Sequence, residues 1–127
     1  SDRQAYDNAL ATLKEGSYEE AAEQFKTFLD HYPQSSYADN SQYWLGEVYY
    51  VTRKFPMALK EFEKVIAFFP DSSKIADARL KLGFINYELK NWVAARAELE
   101  QVVREFPSST PARLAADRLA RMEKEGH

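Results

Sequence analysis

Three short segments decide the fold: Tyr32-Pro33-Gln34-Ser35-Ser36, Phe69-Pro70-Asp71-Ser72-Ser73 and Phe106-Pro107-Ser108-Ser109-Thr110. Their prolines stand 37 residues apart in both intervals. Proline removes a backbone donor and restricts the residue before it, so each segment ends a helix, and the hydroxyls that follow can accept from the first free N–H groups of the next helix. Working outward, the same offset aligns Phe25, Phe62 and Leu99; Ala21, Ala58 and Ala95; Tyr18, Phe55 and Trp92; Leu13, Tyr50 and Tyr87; and Ala9, Gly46 and Gly83. A fixed period that persists through the chain marks an array of units, each burying its apolar face against the next.

Within each unit the apolar spacing is helical. Ala58, Leu59, Phe62, Val65, Ile66 and Phe69 form one stripe, matched by Ala21, Ala22, Phe25, Phe28, Leu29 and Tyr32 and by Ala94, Ala95, Leu99, Val102, Val103 and Phe106. The spacing predicts helices at about 2–15, 18–32, 36–52, 55–69, 73–89, 92–106 and 110–125. Ser36, Ser73 and Thr110 are the expected N-caps, with Asp39 closing a capping box on Ser36 and Pro111 at the favoured first helical position. Gly16, Arg53-Lys54 and Lys90-Asn91 mark the ends of the first helices. The β-branched residues fall on helical periods and no Asn-Gly type of turn occurs, so the chain reads as all-α. It divides into repeats at about 2–35, 36–72 and 73–109, followed by a helix at about 110–125. That helix sets Leu114, Ala115, Leu119 and Met122 on one face and Arg113, Arg118, Arg121 and Lys124 elsewhere, which suits a polar-backed cap or a second binding surface.

With 127 residues, the chain has room for one domain or a few small units sharing a core. Its 45% apolar and 29% charged residues are ordinary globular usage, which argues against disorder. A net charge of −3 gives no sequence-wide footprint for nucleic acid. The longest apolar run is Val65–Phe69, far short of the ~20 residues that span a bilayer, so no direct membrane insertion is expected. There is no cysteine, and the opening Ser1-Asp2-Arg3 reads as a mature form or a piece of something longer.

Chemistry is sparse. His31 sits beside the helix-ending Pro33 and His127 is the last residue, so no His pair has metal-ligand spacing. His31 reads as a helix-end residue favoured by the dipole in preference to a ligand or base. Gly16, Gly46, Gly83 and Gly126 never cluster into a phosphate cradle, and Glu19-Glu20-Glu23 and Glu98-Glu100 read as solvated faces. Neither catalysis, a metal nor a cofactor is expected.

Leu45-Gly46, Tyr49, Ala58, Phe62 and Pro70 resemble the tetratricopeptide-repeat signature, as do Leu82-Gly83, Ala95, Leu99 and Pro107, with Asn86 in place of the signature tyrosine. The first repeat departs further, with Asn8 where leucine is usual and Ala9 where glycine is usual. The expected architecture is a tetratricopeptide-repeat solenoid of three helix hairpins and a capping helix. The segment Tyr32–Glu47 and Phe69-Pro70-Asp71-Ser72-Ser73 resemble the C-terminal repeat domain of the periplasmic cell-division coordinator family of the Tol-Pal system. Outer-membrane assembly lipoproteins use the same proline-serine linker. The resemblance implies a non-enzymatic periplasmic adaptor that binds TolA and coordinates outer-membrane constriction with the peptidoglycan synthase machinery. A preceding coiled coil would make the full-length protein a homotrimer. The alternative it leaves open is an outer-membrane protein assembly scaffold.

In such repeats the first helix of each unit lines a concave groove. Placing the family's inner-face positions on this chain gives Tyr6, Leu10 and Leu13, then Asn40, Tyr43, Glu47 and Tyr50, then Asp77, Leu80, Phe84 and Tyr87. Taken singly, each aromatic fits core packing as well as ligand contact; as a set they describe an amphipathic trough. Tyrosine supplies apolar area with a polar tip, and Asn40, Glu47 and Asp77 can orient a partner backbone or its basic side chains. The cationic cluster with which some of these repeats capture a C-terminal carboxylate is absent, Lys81 being the single cation at the equivalent sites.

Overall fold

Three residues in the left-handed region set the helix pairing: Gly16 (φ 79°), Arg53 (φ 60°) and Lys90 (φ 64°), one per 37-residue unit. Each turns the chain sharply after a first helix. The next N–H then bonds back along the helix, from Ser17 to the Thr12 carbonyl (3.2 Å), Lys54 to Tyr49 (2.8 Å) and Asn91 to Asn86 (2.8 Å), which satisfies carbonyls the helix end would leave free. The computed structural model describes all 127 residues. It contains seven helices: α1 (Asp2–Lys14), α2 (Tyr18–His31), α3 (Ala38–Val51), α4 (Phe55–Phe68), α5 (Ile75–Glu88), α6 (Trp92–Glu105) and α7 (Thr110–Glu125). No strand interrupts them. Each even-numbered helix packs between two odd-numbered ones, and α5 also touches α7 directly, so α1, α3, α5 and α7 share one face and α2, α4 and α6 the other.

The joints between units correct the expected caps. Ser36 and Ser73 cap nothing, and neither α3 nor α5 has a side-chain cap; the preceding serines brace the turn that leads into each helix. Ser35 accepts from the Tyr37 N–H (3.0 Å) while donating to the Asp2 carboxylate (2.7 Å), and Ser72 accepts from Lys74 N–H (3.0 Å) while donating to Asp39 (2.7 Å). Asp39 is therefore half of a clasp between α3 and the connection after α4, not of a capping box, and α3 starts at Ala38. At the third joint Ala76 occupies the place of Asp2 and Asp39, so Ser109, freed of that partner, accepts from Ala112 N–H and caps α7. Thr110 becomes the first helical residue.

The core follows the register. Phe25, Phe62 and Leu99 are fully buried, and Phe62 and Leu99 each face a glycine of their unit's first helix. A Cβ on Gly46 would lie 2.7 Å from the Phe62 ring, and one on Gly83 would lie 2.5 Å from Leu99 Cδ2, so glycine is what lets these two pairs of helices close. Leu45 and Leu82 are buried against the preceding unit, whereas Asn8 at the same register is exposed. On α7, Ala112, Ala115 and Met122 are buried, while Leu114, expected on that face, is exposed.

Candidate functional site

The shared face of the odd-numbered helices has a floor and a lining. Tyr6, Tyr43 and Leu80 occupy one register and are 8%, 7% and 4% exposed, so they form the floor and do not present side chains to a partner. Tyr6 packs edge-on to Phe25 and Phe28, stacks on Tyr37 at 4.9 Å and accepts from the Trp44 indole N–H at 3.0 Å. Tyr43 packs on Phe62, and Leu80 joins Leu99, Ala112 and Met122. Above this floor Leu10, Asn40, Glu47, Tyr50, Asp77, Phe84 and Tyr87 are half-buried, and Leu13 lies beside the core at the edge. The predicted residues thus lie on one face, but a third register of side chains fills much of the space between them.

That register is Trp44, Lys81 and Arg118, 37 residues apart, each reaching back to the first helix of the preceding unit. Trp44 bonds Tyr6. Lys81 pairs with Glu47 at 2.9 Å and lies 4.5 Å from the centre of the Tyr50 ring. Arg118 lies over Phe84 and Tyr87 at 4.2 and 4.7 Å. A neighbouring set repeats the idea, Lys74 lying 5.0 Å over Tyr43 in the place where Tyr37 stacks on Tyr6. Cation–π contacts of this kind hold a charge at an aromatic surface without using its N–H donors. The apolar stripe of the last helix puts Arg118 on its polar back, whereas in the structure Arg118 faces inward. Sequence reasoning misses it, with Lys74 and Arg121, although the 37-residue offset from Lys81 carries the signal.

The electrostatics follow from this packing. Burial pushes the Tyr43 hydroxyl far above its usual range, and the carboxylates of Glu47 and Asp77 add to the effect. Tyr50 is raised by burial, partly offset by the Arg118 charge. Tyr87 donates to the Glu125 carboxylate, which raises the tyrosine and lowers the glutamate, and Arg121 pairs with Glu125 at 3.3 Å. The result is a face of aromatic surface edged with donors and acceptors, suited to binding a polypeptide.

Elsewhere, Glu98, expected on a solvated face, pairs with Arg79 at 3.1 Å. His31 is exposed at the end of α2, its Nδ1 2.9 Å from the Thr27 carbonyl. A cleft of about 690 Å³ opens between α2, α3 and α4, lined among others by Leu29, Gln42, Leu45, Lys64 and the exposed Phe68. No three acidic or histidine side chains gather as metal ligands, and no helix is long and apolar enough to cross a membrane.

Comparison with known proteins agrees with this architecture. Residues 1–125 match the family model named YfiO, described as outer membrane lipoprotein. A segment of 43 residues is 49% identical to the cell division coordinator CpoB of Pseudomonas putida, covering 34% of this chain and 16% of that protein. Among solved structures, the first tetratricopeptide repeat domain of Spaghetti (RPAP3), bound to an HSP90 peptide, superposes with a TM-score of 0.80 at 18% identity, covering 98% of this chain and 91% of that one. MamA of Desulfovibrio magneticus gives 0.74 at 23% identity, over 97% and 68%. At these identities the two structures establish the fold alone, a tetratricopeptide-repeat solenoid, and the match along residues 1–125 supplies the rest: the chain belongs to the YfiO outer membrane lipoprotein family.

Proposed function

We propose that this domain is a non-enzymatic adaptor of the cell envelope, holding a segment of a protein partner along the face of α1, α3, α5 and α7. The observation that carries the reading is the continuity of that face: half-buried Asn40, Glu47, Tyr50, Asp77, Phe84 and Tyr87 line it from unit to unit over the floor of Tyr6, Tyr43 and Leu80. Aromatic area with few exposed charges is the composition of the energetically important centre of an interface. The likeness to CpoB suggests the setting: a periplasmic coordinator of cell division, with TolA as partner and the coupling of outer-membrane constriction to peptidoglycan synthesis as outcome. The second reading, a scaffold for outer-membrane protein assembly, is favoured by the family match, which covers 1–125 where the CpoB likeness covers 43 residues.

Calorimetric titration with the periplasmic region of TolA tests both, using the native domain and Asn40→Trp and Asp77→Trp variants. These positions line the face without belonging to the core. Binding weakened ~10-fold or more by both substitutions is the expected result, since a bulky ring at either position obstructs a segment lying along the face and spoils the shape complementarity on which affinity depends. Unchanged binding by the variants would move the site to the other face, where the cleft beside Phe68 lies. No binding by the native domain would leave the assembly reading in place.

A further inference from the structure

The cations on the shared face are not equivalent. Lys81 is neutralised by Glu47 at 2.9 Å and Arg121 by Glu125 at 3.3 Å, and the other oxygen of Glu125 is taken by Tyr87. Arg118 has neither an ion pair nor a hydrogen bond; its contacts are the rings of Phe84 and Tyr87, at 4.2 and 4.7 Å. It stands on α7, its charge acts on Tyr50 of α3 as well as on Tyr87 of α5, and it is half-buried, so it sits among three of the four helices of the face. Lys74 is also unpaired, over Tyr43 and Trp44, but an ammonium on a flexible stem has no fixed donor plane. A guanidinium lying over two rings keeps its five N–H donors available, and their forked arrangement matches a carboxylate. One turn earlier on the same helix side, at i−4, Leu114 is exposed.

We propose that Arg118 anchors the side-chain carboxylate of an aspartate or glutamate in an extended partner segment, whose neighbouring apolar side chain packs on Phe84 and Leu114. This rests on the docking reading above and specifies its partner as acidic-apolar. Charge complementarity selects that class, because Glu47 and Glu125 are already engaged by Lys81, Arg121 and Tyr87, and Arg118 has no carboxylate partner within the domain. A half-buried guanidinium already resting on two rings also loses less freedom on binding than a free surface arginine, which favours affinity.

The test is selection from a degenerate library of nonapeptides, acetylated and amidated so that no terminal carboxylate is present, on the native domain, Arg118→Gln and Arg118→Lys. The native domain is expected to enrich Asp or Glu over Asn or Gln by ~10-fold or more at one position, with an apolar residue beside it, as suits hydrogen bonds to a charged group. Arg118→Gln should lose the acidic preference and keep the apolar one; Arg118→Lys should retain part of it. Acidic enrichment that survives in Arg118→Gln, or enriched peptides without acid, would overturn the assignment of Arg118 and leave the docking reading standing. Failure of the native domain to enrich any sequence would overturn both. Thermal melting of the variants distinguishes lost recognition from lost folding.

Discussion

Ser41 is fully buried and its hydroxyl has no partner, while Ala78 and Ala115 occupy the same register in the next two units. A buried hydroxyl without a partner is a net cost, so Ser41→Ala is expected to raise stability by about 1 kcal/mol in urea denaturation. Tyr43 makes a second prediction at this scale. Its ionisation is displaced upward in the folded state, chiefly by burial, so the stability it contributes is complete below the unfolded value near ~10 and is lost as pH rises beyond it. Alkaline titration should show some tyrosinate absorbance at the ordinary pH and a further fraction only as the helical circular dichroism collapses; release of all of it before that collapse would contradict the burial of Tyr43. Single residues are unevenly legible. Gly46 and Gly83 can be read because register alone demands a small side chain opposite Phe62 and Leu99. Arg118 is legible only through its 37-residue offset from Lys81, since the periodicity of α7 reports its own apolar stripe and not the aromatic shelf that α5 offers it.

At the scale of elements, all seven helices are readable from apolar spacing, and the starts of α3 and α5 lie up to two residues beyond the expected positions. The reason lies in Ser35 and Ser72, whose hydroxyls donate to Asp2 and Asp39 and brace the turn ahead of each helix, whereas Ser109, without such a partner, caps α7, which starts where expected. Contacts of that kind leave no trace in helical periodicity. The helix ends are easier, because αL turns tolerate few alternatives to glycine and the basic residues at 53 and 90 stand at its register. They also carry strain. A side chain in the left-handed region costs ~1–2 kcal/mol, part of which glycine returns as unfolded-chain entropy, so Lys90→Gly is expected to stabilise the domain by about 1 kcal/mol. A fall in denaturation midpoint would mean that Lys90 makes a compensating contact.

For the molecule as a whole, stability passes from helix to helix in order. One cluster of buried residues runs from Tyr6 to Ile85, and a second from Leu80 to Met122, meeting at α5. Ala58 is fully buried in the middle unit and its N–H bonds the Lys54 carbonyl at 2.9 Å. Proline there removes that bond and clashes with the preceding turn, at ~3 kcal/mol or more. Ala58→Pro is therefore expected to replace one cooperative melt with a broad or two-step one in circular dichroism, and a single sharp transition would contradict a linear array. The face of the odd-numbered helices is legible as a set but not as a surface, because depth depends on what the next unit lays over each residue: Tyr43 is covered where Tyr50 is only partly so.

The clasps of Ser35 with Asp2 and of Ser72 with Asp39 each fasten the end of a unit to its own beginning. A unit closed on itself asks nothing particular of its successor, so excising residues 36–72 would set Ser35 before Ser73 and Lys74, with its clasp intact and the Lys74 N–H in the place of the Tyr37 N–H. The domain is thus graduated like a ruler: the length of partner it can span changes in whole steps of 37 residues, and each step can be added or removed without redrawing the others.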